Sequence, residues 1–293
     1  MTEVNYLESL NPLQYESVCS TEGPNLIIAG AGTGKTKVLT TRVAHIIDNN
    51  LAFPSQILCV TFTNKAAREM SERVQKLVSQ NMEKMPWMGT FHSIGAKIIR
   101  NHAEVIGLKQ SFTILDKDDQ LSLIKQIIKA ENLDQSQFSP KLIQSKIDHW
   151  KNKALNPNDI KSESLDNLVD EKSLSIYKIY QARLFEINCL DFGDLLLQCI
   201  NLFKVTDIHK RYSNNFKYIH VDEYQDTNAA QYKWLKLLGS HHQNVCCVGD
   251  DDQSIYSWRG AEIKNFLEFD QIYKNTKVIR LEQNYRSTQN ILS

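Results

Sequence analysis

The residues best suited to chemistry lie at positions 29–36, Ala29-Gly30-Ala31-Gly32-Thr33-Gly34-Lys35-Thr36. Three glycines alternate with small residues, and a lysine and a hydroxyl follow. Glycines at that spacing let successive backbone N–H groups turn toward one point, where they can hold phosphate oxygens. Lys35 would then reach the outer phosphates of a nucleoside triphosphate, and the Thr36 hydroxyl would ligate Mg²⁺. The usual pattern opens with glycine, and Ala29 stands in that place. The apolar run Asn25-Leu-Ile-Ile28 leads into the loop, and Leu39, Val43, Ile46 and Ile47 follow it on one helical face. A strand, a glycine loop and a helix in that order add the positive end of a helix dipole to the cradle. The plainer alternative is a glycine-rich turn beside a chance lysine.

Two further segments carry groups such a cradle needs. The apolar run Tyr218-Ile-His-Val221 ends in Asp222 and Glu223. A buried strand ending in paired carboxylates would place Asp222 on Mg²⁺ and let Glu223 orient and deprotonate an attacking water. An acidic turn capping the next helix is the alternative. The run Val245-Cys-Cys-Val248 leads to Gln253, whose amide would hydrogen-bond a γ-phosphate or the attacking water, or would simply be a polar turn residue. Tyr256, Trp258 and Arg259 follow at once. Aromatic rings beside a cation make a stacking platform for unpaired bases, each contact being worth about 1–3 kcal/mol. Phe62, at the end of another apolar run, would be a second platform or a core residue.

The elements that must position these groups follow from the apolar pattern. Short apolar runs at Leu26–Ala29, Ile57–Phe62, Tyr218–Val221, Val245–Gly249 and Val278–Leu281 predict strands of a parallel sheet covered on both faces. No glycine occurs between Gly107 and Gly193, and Leu121, Ile124, Ile127 and Ile128 fall at helical spacing there. That stretch reads as a helical insertion. The predicted fold class is α/β, a phosphate-loop parallel sheet flanked by helices and interrupted by an all-helical subdomain. At 293 residues there is room for two domains, and 34 basic against 34 acidic side chains exclude a uniformly basic nucleic-acid binder. No apolar stretch approaches the ~20 residues that span a bilayer, so no membrane association is expected. The six cysteines show no Cys-x-x-Cys spacing, which argues against a zinc or iron–sulfur site and for a reducing, cytoplasmic compartment. The pair His241-His242 reads as a solvated loop, with no metal role.

With these motifs in order, the chain resembles the UvrD/Rep/PcrA group of superfamily 1 DNA helicases over essentially its whole length. Leu10-Asn-Pro-Leu-Gln14 is similar to the family's Q motif, and Thr61-Phe-Thr-Asn-Lys-Ala-Ala-Arg-Glu-Met70 and Gly89-Thr-Phe-His-Ser93 to its DNA-contacting segments. Asp191-Phe-Gly-Asp-Leu-Leu196 fits the segment after the insertion. Val221–Asn228, Val248–Ala261 and Leu281–Gln289 resemble the hydrolysis, coupling and nucleotide-contacting motifs. Ala29 at the head of the phosphate loop is ordinary in that family.

The resemblance implies a RecA-like first domain at 1–108 and 191–279, a helical insertion at 109–190, and the start of a second RecA-like domain at 280–293. It implies that Gln14 reads an adenine and that Tyr285 stacks on it. Arg286 would be an arginine finger, suited to charge spreading over the transferred phosphoryl group. Gln253 would link the γ-phosphate to strand contacts at Tyr256, Trp258 and Arg259. Phe62 and His92 would face single-stranded DNA, with Thr61, Thr63 and Asn64 near its backbone; His92 is otherwise a structural histidine. The implied activity is ATP-dependent, 3′→5′ movement along single-stranded DNA in repair or replication, with ATP and Mg²⁺. The family continues into a second RecA-like domain that closes the nucleotide cleft. The chain stops a few residues beyond Arg286, so the expectation is a first half that does not unwind duplex by itself. A motor subunit of a nuclease or recombination complex, without unwinding activity of its own, is the other reading.

Overall fold

Six strands form one all-parallel sheet in this computed structural model, which describes residues 6–78, 85–161, 163, 165, 167–254 and 260–287. Numbered along the chain, the described strands are β1 (Asn25–Ala29), β2 (Ile57–Thr61), β3 (Met88–Thr90), β4 (Thr113–Leu115), β5 (Cys189–Asp191), β6 (Tyr218–Val221), β7 (Val245–Gly249) and β8 (Lys277–Leu281). The order in the main sheet is β3-β2-β6-β7-β1-β8. Register pairs Ile27 with Val248 and with Ile279, and Cys59 with His220. All strands therefore end on the same edge, where parallel α/β sheets place their ligands. All five predicted strands match within a residue at each end; the run Ile57–Phe62 stops one residue short, at Thr61, and Phe62 begins the turn. The three-residue β3, with Gly89 at its centre, has no periodic signal and was not anticipated.

The chain separates into two units, each with its own core. The first comprises Met1–Ile94, Asp207–Thr227 and Leu235–Ser293. The helix Lys35–Asp48 buries Val38, Leu39, Val43, Ala44 and Ile46 against Ile27, Ala29, Cys246 and Val248. Each such fully buried valine, leucine or isoleucine side chain contributes about 1.5–3 kcal/mol. Helix Asn64–Leu77 turns Ala67, Met70 and Val74 inward and sets Lys65–Glu69 and Arg68–Glu72 pairs on its outer face.

The second unit, Gly95–Thr206 with Asn228–Trp234, is built on helices Lys117–Ala130, Pro140–Asn152, Leu168–Glu186 and Asp194–Leu202. Ile124, Ile127 and Ile128 pack with Ile143, Ile147, Tyr177, Tyr180 and Leu184. The stretch expected to be helical throughout also carries one parallel ladder, β4 with β5, pairing Thr113 with Cys189 and Leu115 with Asp191. Three-residue strands fall below what apolar alternation can reveal. Cys59, Cys189, Cys199, Cys246 and Cys247 are buried, Cys19 is half-buried, and none is disulfide-bonded. Among the described residues no helix is long and apolar enough to cross a membrane, and no cluster of three metal-ligating side chains occurs.

Candidate active site

The phosphate loop is shaped by Gly32 at φ +80° and Gly34 at φ +92°, conformations that cost L-residues energy. Both glycines also need to be bare. A Cβ on Gly32 would lie 2.6 Å from Arg286 Cβ, and one on Gly34 would lie 2.8 Å from Gln14 Nε2. Gly34 immediately precedes the helix Lys35–Asp48 and no side chain caps it, so the first-turn N–H groups are left for an anion. The Thr33 hydroxyl donates to the Gly30 carbonyl at 2.8 Å and closes the loop on itself.

The N-terminal helix Pro12–Cys19 braces that loop. Asn11 and Gln14 form a reciprocal cap, and Gln14 Nε2 also donates to the Thr33 carbonyl at 2.9 Å. Both ends of this buried carboxamide are thus engaged with protein atoms, so here Gln14 holds the loop. At the other end of the helix, buried Arg42 donates to the carbonyls of Ser17 at 2.6 Å and Thr21 at 3.1 Å.

The strap after β8 lies on the loop. Asn284 Nδ2 donates to the Ala31 carbonyl at 2.7 Å, and the Tyr285 N–H donates to the Gly32 carbonyl at 2.9 Å. The Tyr285 hydroxyl accepts from Asn11 at 2.8 Å, leaving its ring 56% exposed. The backbones of Tyr285 and Arg286 therefore come to the phosphate loop. Asn284, which the sequence reading did not single out, is the residue that anchors them.

At the end of β6, Glu223 adopts the left-handed conformation at φ +50° and ψ +48°. That conformation costs a non-glycine residue on the order of 1–3 kcal/mol. It brings the carboxylate to Lys35: Nζ and Glu223 Oε2 are 3.2 Å apart, and the lysine side chain is only 11% exposed. Asp222 lies beside it, nine-tenths buried, with Oδ1 accepting the Glu223 N–H at 3.1 Å. Burial pushes the Asp222 carboxyl up to about 6; the Glu223 charge adds to the rise and Lys35 opposes it. Asp226 is raised to about 6 by the same causes, and its Oδ1 is buried with no partner among the described residues.

Asp222 and Glu223 beside Lys35, and the orphaned Asp226 oxygen, form no closed three-ligand set among the described residues, but they offer donors that fit a divalent cation shared with a bound phosphate. The donors available to it are hard oxygens, as Mg²⁺ requires. Thr36, half-buried at the helix start, makes no side-chain hydrogen bond among the described residues and retains its hydroxyl. At the end of β7, Gln253 Nε2 donates to Asp250 Oδ2.

The proposed strand contacts divide. Thr61 is fully buried and its hydroxyl donates to the Thr63 carbonyl at 3.0 Å, so it supports the turn from within. Thr63 caps the next helix by accepting the Ala66 N–H at 3.1 Å. Thr63 and Asn64 are exposed, and Phe62 and His92 are half-buried. Burial lowers His92 to about 4, so its imidazole is neutral at pH 7. Tyr256, Trp258 and Arg259 lie outside the described residues.

Comparisons with known proteins agree with this arrangement. A family model described as UvrD/REP helicase N-terminal domain matches residues 10–274. The chain is 49% identical over 297 residues to the DNA helicase II of Rickettsia typhi, covering 100% of this chain and 45% of that protein. It is 48% identical over 296 residues to a probable DNA helicase II homolog of Rickettsia conorii, again covering 100% of this chain and 45% of the relative. It is 49% identical over 288 residues to the ATP-dependent DNA helicase PcrA of Staphylococcus aureus, covering 98% of this chain and 39% of the relative. The chain thus spans less than half the length of these relatives. A phosphate loop facing strand-end carboxylates on a parallel sheet, and sequence agreement from residue 10 to residue 274, place this chain in the UvrD/REP helicase N-terminal domain family.

Proposed function

We propose that this chain is the ATP-binding portion of an ATP-dependent DNA helicase or translocase, which hydrolyses ATP to move 3′→5′ along single-stranded DNA in repair or replication. The observation that carries this reading is the convergence of Lys35, at the head of the helix that follows β1, and Glu223, just beyond β6, 3.2 Å apart. Residues 29–36 bind the phosphates: the bare backbone at Gly32 and Gly34 and the uncapped helix start supply N–H donors, and Lys35 supplies a charge. Thr36 and Asp222 would hold Mg²⁺, which neutralises charge on the phosphate oxygens when bound. Glu223 orients water and accepts its proton, Gln253 contacts the γ-phosphate, and Arg286 stabilises the charge that develops on it. Tyr285 offers its exposed ring to the adenine, and Gln14 fixes the loop beneath.

Single-stranded DNA would be contacted by Phe62, Thr63, Asn64 and His92, with Tyr256, Trp258 and Arg259 as the stacking platform and Thr61 supporting the turn. Residues 1–108 and 191–279 form the first RecA-like domain in this reading, 109–190 the insertion, and 280–293 the beginning of a second RecA-like domain. That second domain is needed for full activity. The cytoplasm is the expected compartment.

The test is steady-state Mg·ATP hydrolysis with and without a single-stranded oligonucleotide, on this chain and on a protein extended through the second RecA-like domain. Stimulation by the oligonucleotide in the extended protein is the expected result. Hydrolysis indifferent to DNA would favour a motor that works without tracking the strand. Absence of ATP binding in either form would refute the nucleotide site.

A further inference from the structure

Gln225 has no role in the mechanism above, yet it is 1% exposed and lies two residues from Glu223. Its carboxamide is used at both ends. Nε2 donates to Glu223 Oε2 at 2.9 Å, and Oε1 accepts the backbone N–H of Asp250 at 3.1 Å. Asp250 in turn accepts from Gln253 through Oδ2 and from the Asp252 N–H at 3.2 Å through Oδ1. An unbroken set of contacts therefore runs from Lys35 through Glu223, Gln225 and Asp250 to Gln253.

We propose that Gln225 is a positioning residue for hydrolysis: it fixes the Glu223 carboxylate and ties it to the end of β7, so that the turn bearing Gln253 and the carboxylate move together. The proposal rests on the reading of Glu223 as the group that accepts the water proton.

Three features of the site support it. Lys35 and Gln225 share one oxygen of Glu223, and Oε1 accepts no hydrogen bond among the described residues, which leaves it for water. When Lys35 turns to a phosphate, Gln225 is the described donor that remains on the carboxylate. Second, Glu223 occupies a left-handed backbone conformation, so its side-chain direction depends on contacts of this kind. Third, the end of β7 is kept bare for the carboxamide. A Cβ on Gly249 would overlap Gln225 Oε1 and lie 2.8 Å from Phe266 Cε2. With Oε1 held on the Asp250 N–H, the buried Nε2 needs an acceptor of its own, and the one it takes is the Glu223 carboxylate. Withdrawal of Gln253 from Asp250 toward a nucleotide would shift the Asp250 backbone, and Gln225 carries that shift to Glu223.

The experiment is a double-mutant cycle on single-turnover Mg·ATP hydrolysis by the protein extended through the second RecA-like domain, with ATP affinity measured in parallel. Gln225→Ala removes both bonds; Gln225→Glu keeps the acceptor for Asp250 N–H but cannot donate to Glu223. Each is expected to lower the hydrolysis rate about tenfold or more, while ATP affinity changes less than about threefold. In a Glu223→Gln background the same substitutions should cost almost nothing further, because the residue they act through is gone. An unchanged rate in both single variants, or a full additional loss in the Glu223→Gln background, overturns the proposal. So does loss of ATP binding in both variants, which would make Gln225 a structural residue. A wild-type protein that binds ATP without hydrolysing it would refute the underlying reading instead.

Discussion

Each unit of the molecule gathers carboxylates around one lysine, and the two clusters are finished in opposite ways. In the second unit Lys151 lies 2.7 Å from Asp191 and 2.9 Å from Asp194, with all three side chains at 0% exposure. Every carboxylate oxygen there has a donor. Asp191 receives the Tyr180 hydroxyl at 2.9 Å and the Asp194 N–H at 2.9 Å; Asp194 receives Gln181 at 3.0 Å and the Asp191 N–H at 3.2 Å. The first unit's cluster of Lys35, Asp222, Glu223 and Asp226 stays open. Glu223 is 35% exposed, and Asp226 Oδ1 is orphaned. A satisfied buried network specifies structure, whereas an under-paired one is a place for a ligand.

That contrast can be broken at either end. The largest effect belongs to Lys35→Ala, expected to lower kcat/KM for Mg·ATP by about a thousandfold or more while the melting temperature barely changes. A variant that kept its ATP affinity would remove Lys35 from the site. In the closed cluster the sign reverses: Lys151→Met leaves two buried carboxylates without a cation and should destabilise the protein by about 3–5 kcal/mol in urea titrations. A loss below about 1 kcal/mol would mean that the cluster tolerates water.

Asp194→Asn sharpens the comparison through pH. Burial, then the Asp191 charge, raises the Asp194 carboxyl to about 6, above its ordinary value. Between that ordinary value and about 6 the folded chain holds a proton that the unfolded chain has released, so this residue costs stability as pH rises. Asp222 and Asp226 act in the same window but are common to both proteins. The variant should therefore gain on the wild type by about 2 kcal/mol from pH 4 to pH 7, read by denaturation at fixed intervals. A difference that does not vary with pH would show Asp194 to be ionised throughout. The smallest effect is Tyr180→Phe, which removes one donor from Asp191 and should cost about 1 kcal/mol.

The two clusters also differ in how far they could be read in advance. Lys35, Asp222 and Glu223 sit in motifs whose spacing states their chemistry, because a phosphate cradle must be built from consecutive residues. The closed cluster joins Lys151 to a pair forty residues later. The run Asp191-Phe-Gly-Asp194 was recognisable as a family segment, but nothing local pairs it with that lysine. Gly193 shows the reason for the run only in three dimensions: a Cβ there would lie 2.8 Å from Lys151 Cδ. Gln225, Asp250 and Asn284 escaped for the same reason, since the contacts Gln225–Asp250 and Asn284–Ala31 join residues distant in sequence. The main strands were legible as continuous apolar runs, while β3, β4 and β5, at three residues each, were too short to leave a period.

The distribution of thiols has a practical consequence. Five cysteines are buried, and burial raises their thiols further from the reactive thiolate; Cys19 alone is half-buried. It ends the helix whose other end carries Asn11 and Gln14, the pair that braces the phosphate loop. A thiol-directed label therefore reaches the native chain first at a position covalently continuous with the nucleotide site. Its rate of attachment is a built-in reporter of how tightly that helix is held, available without altering a single residue.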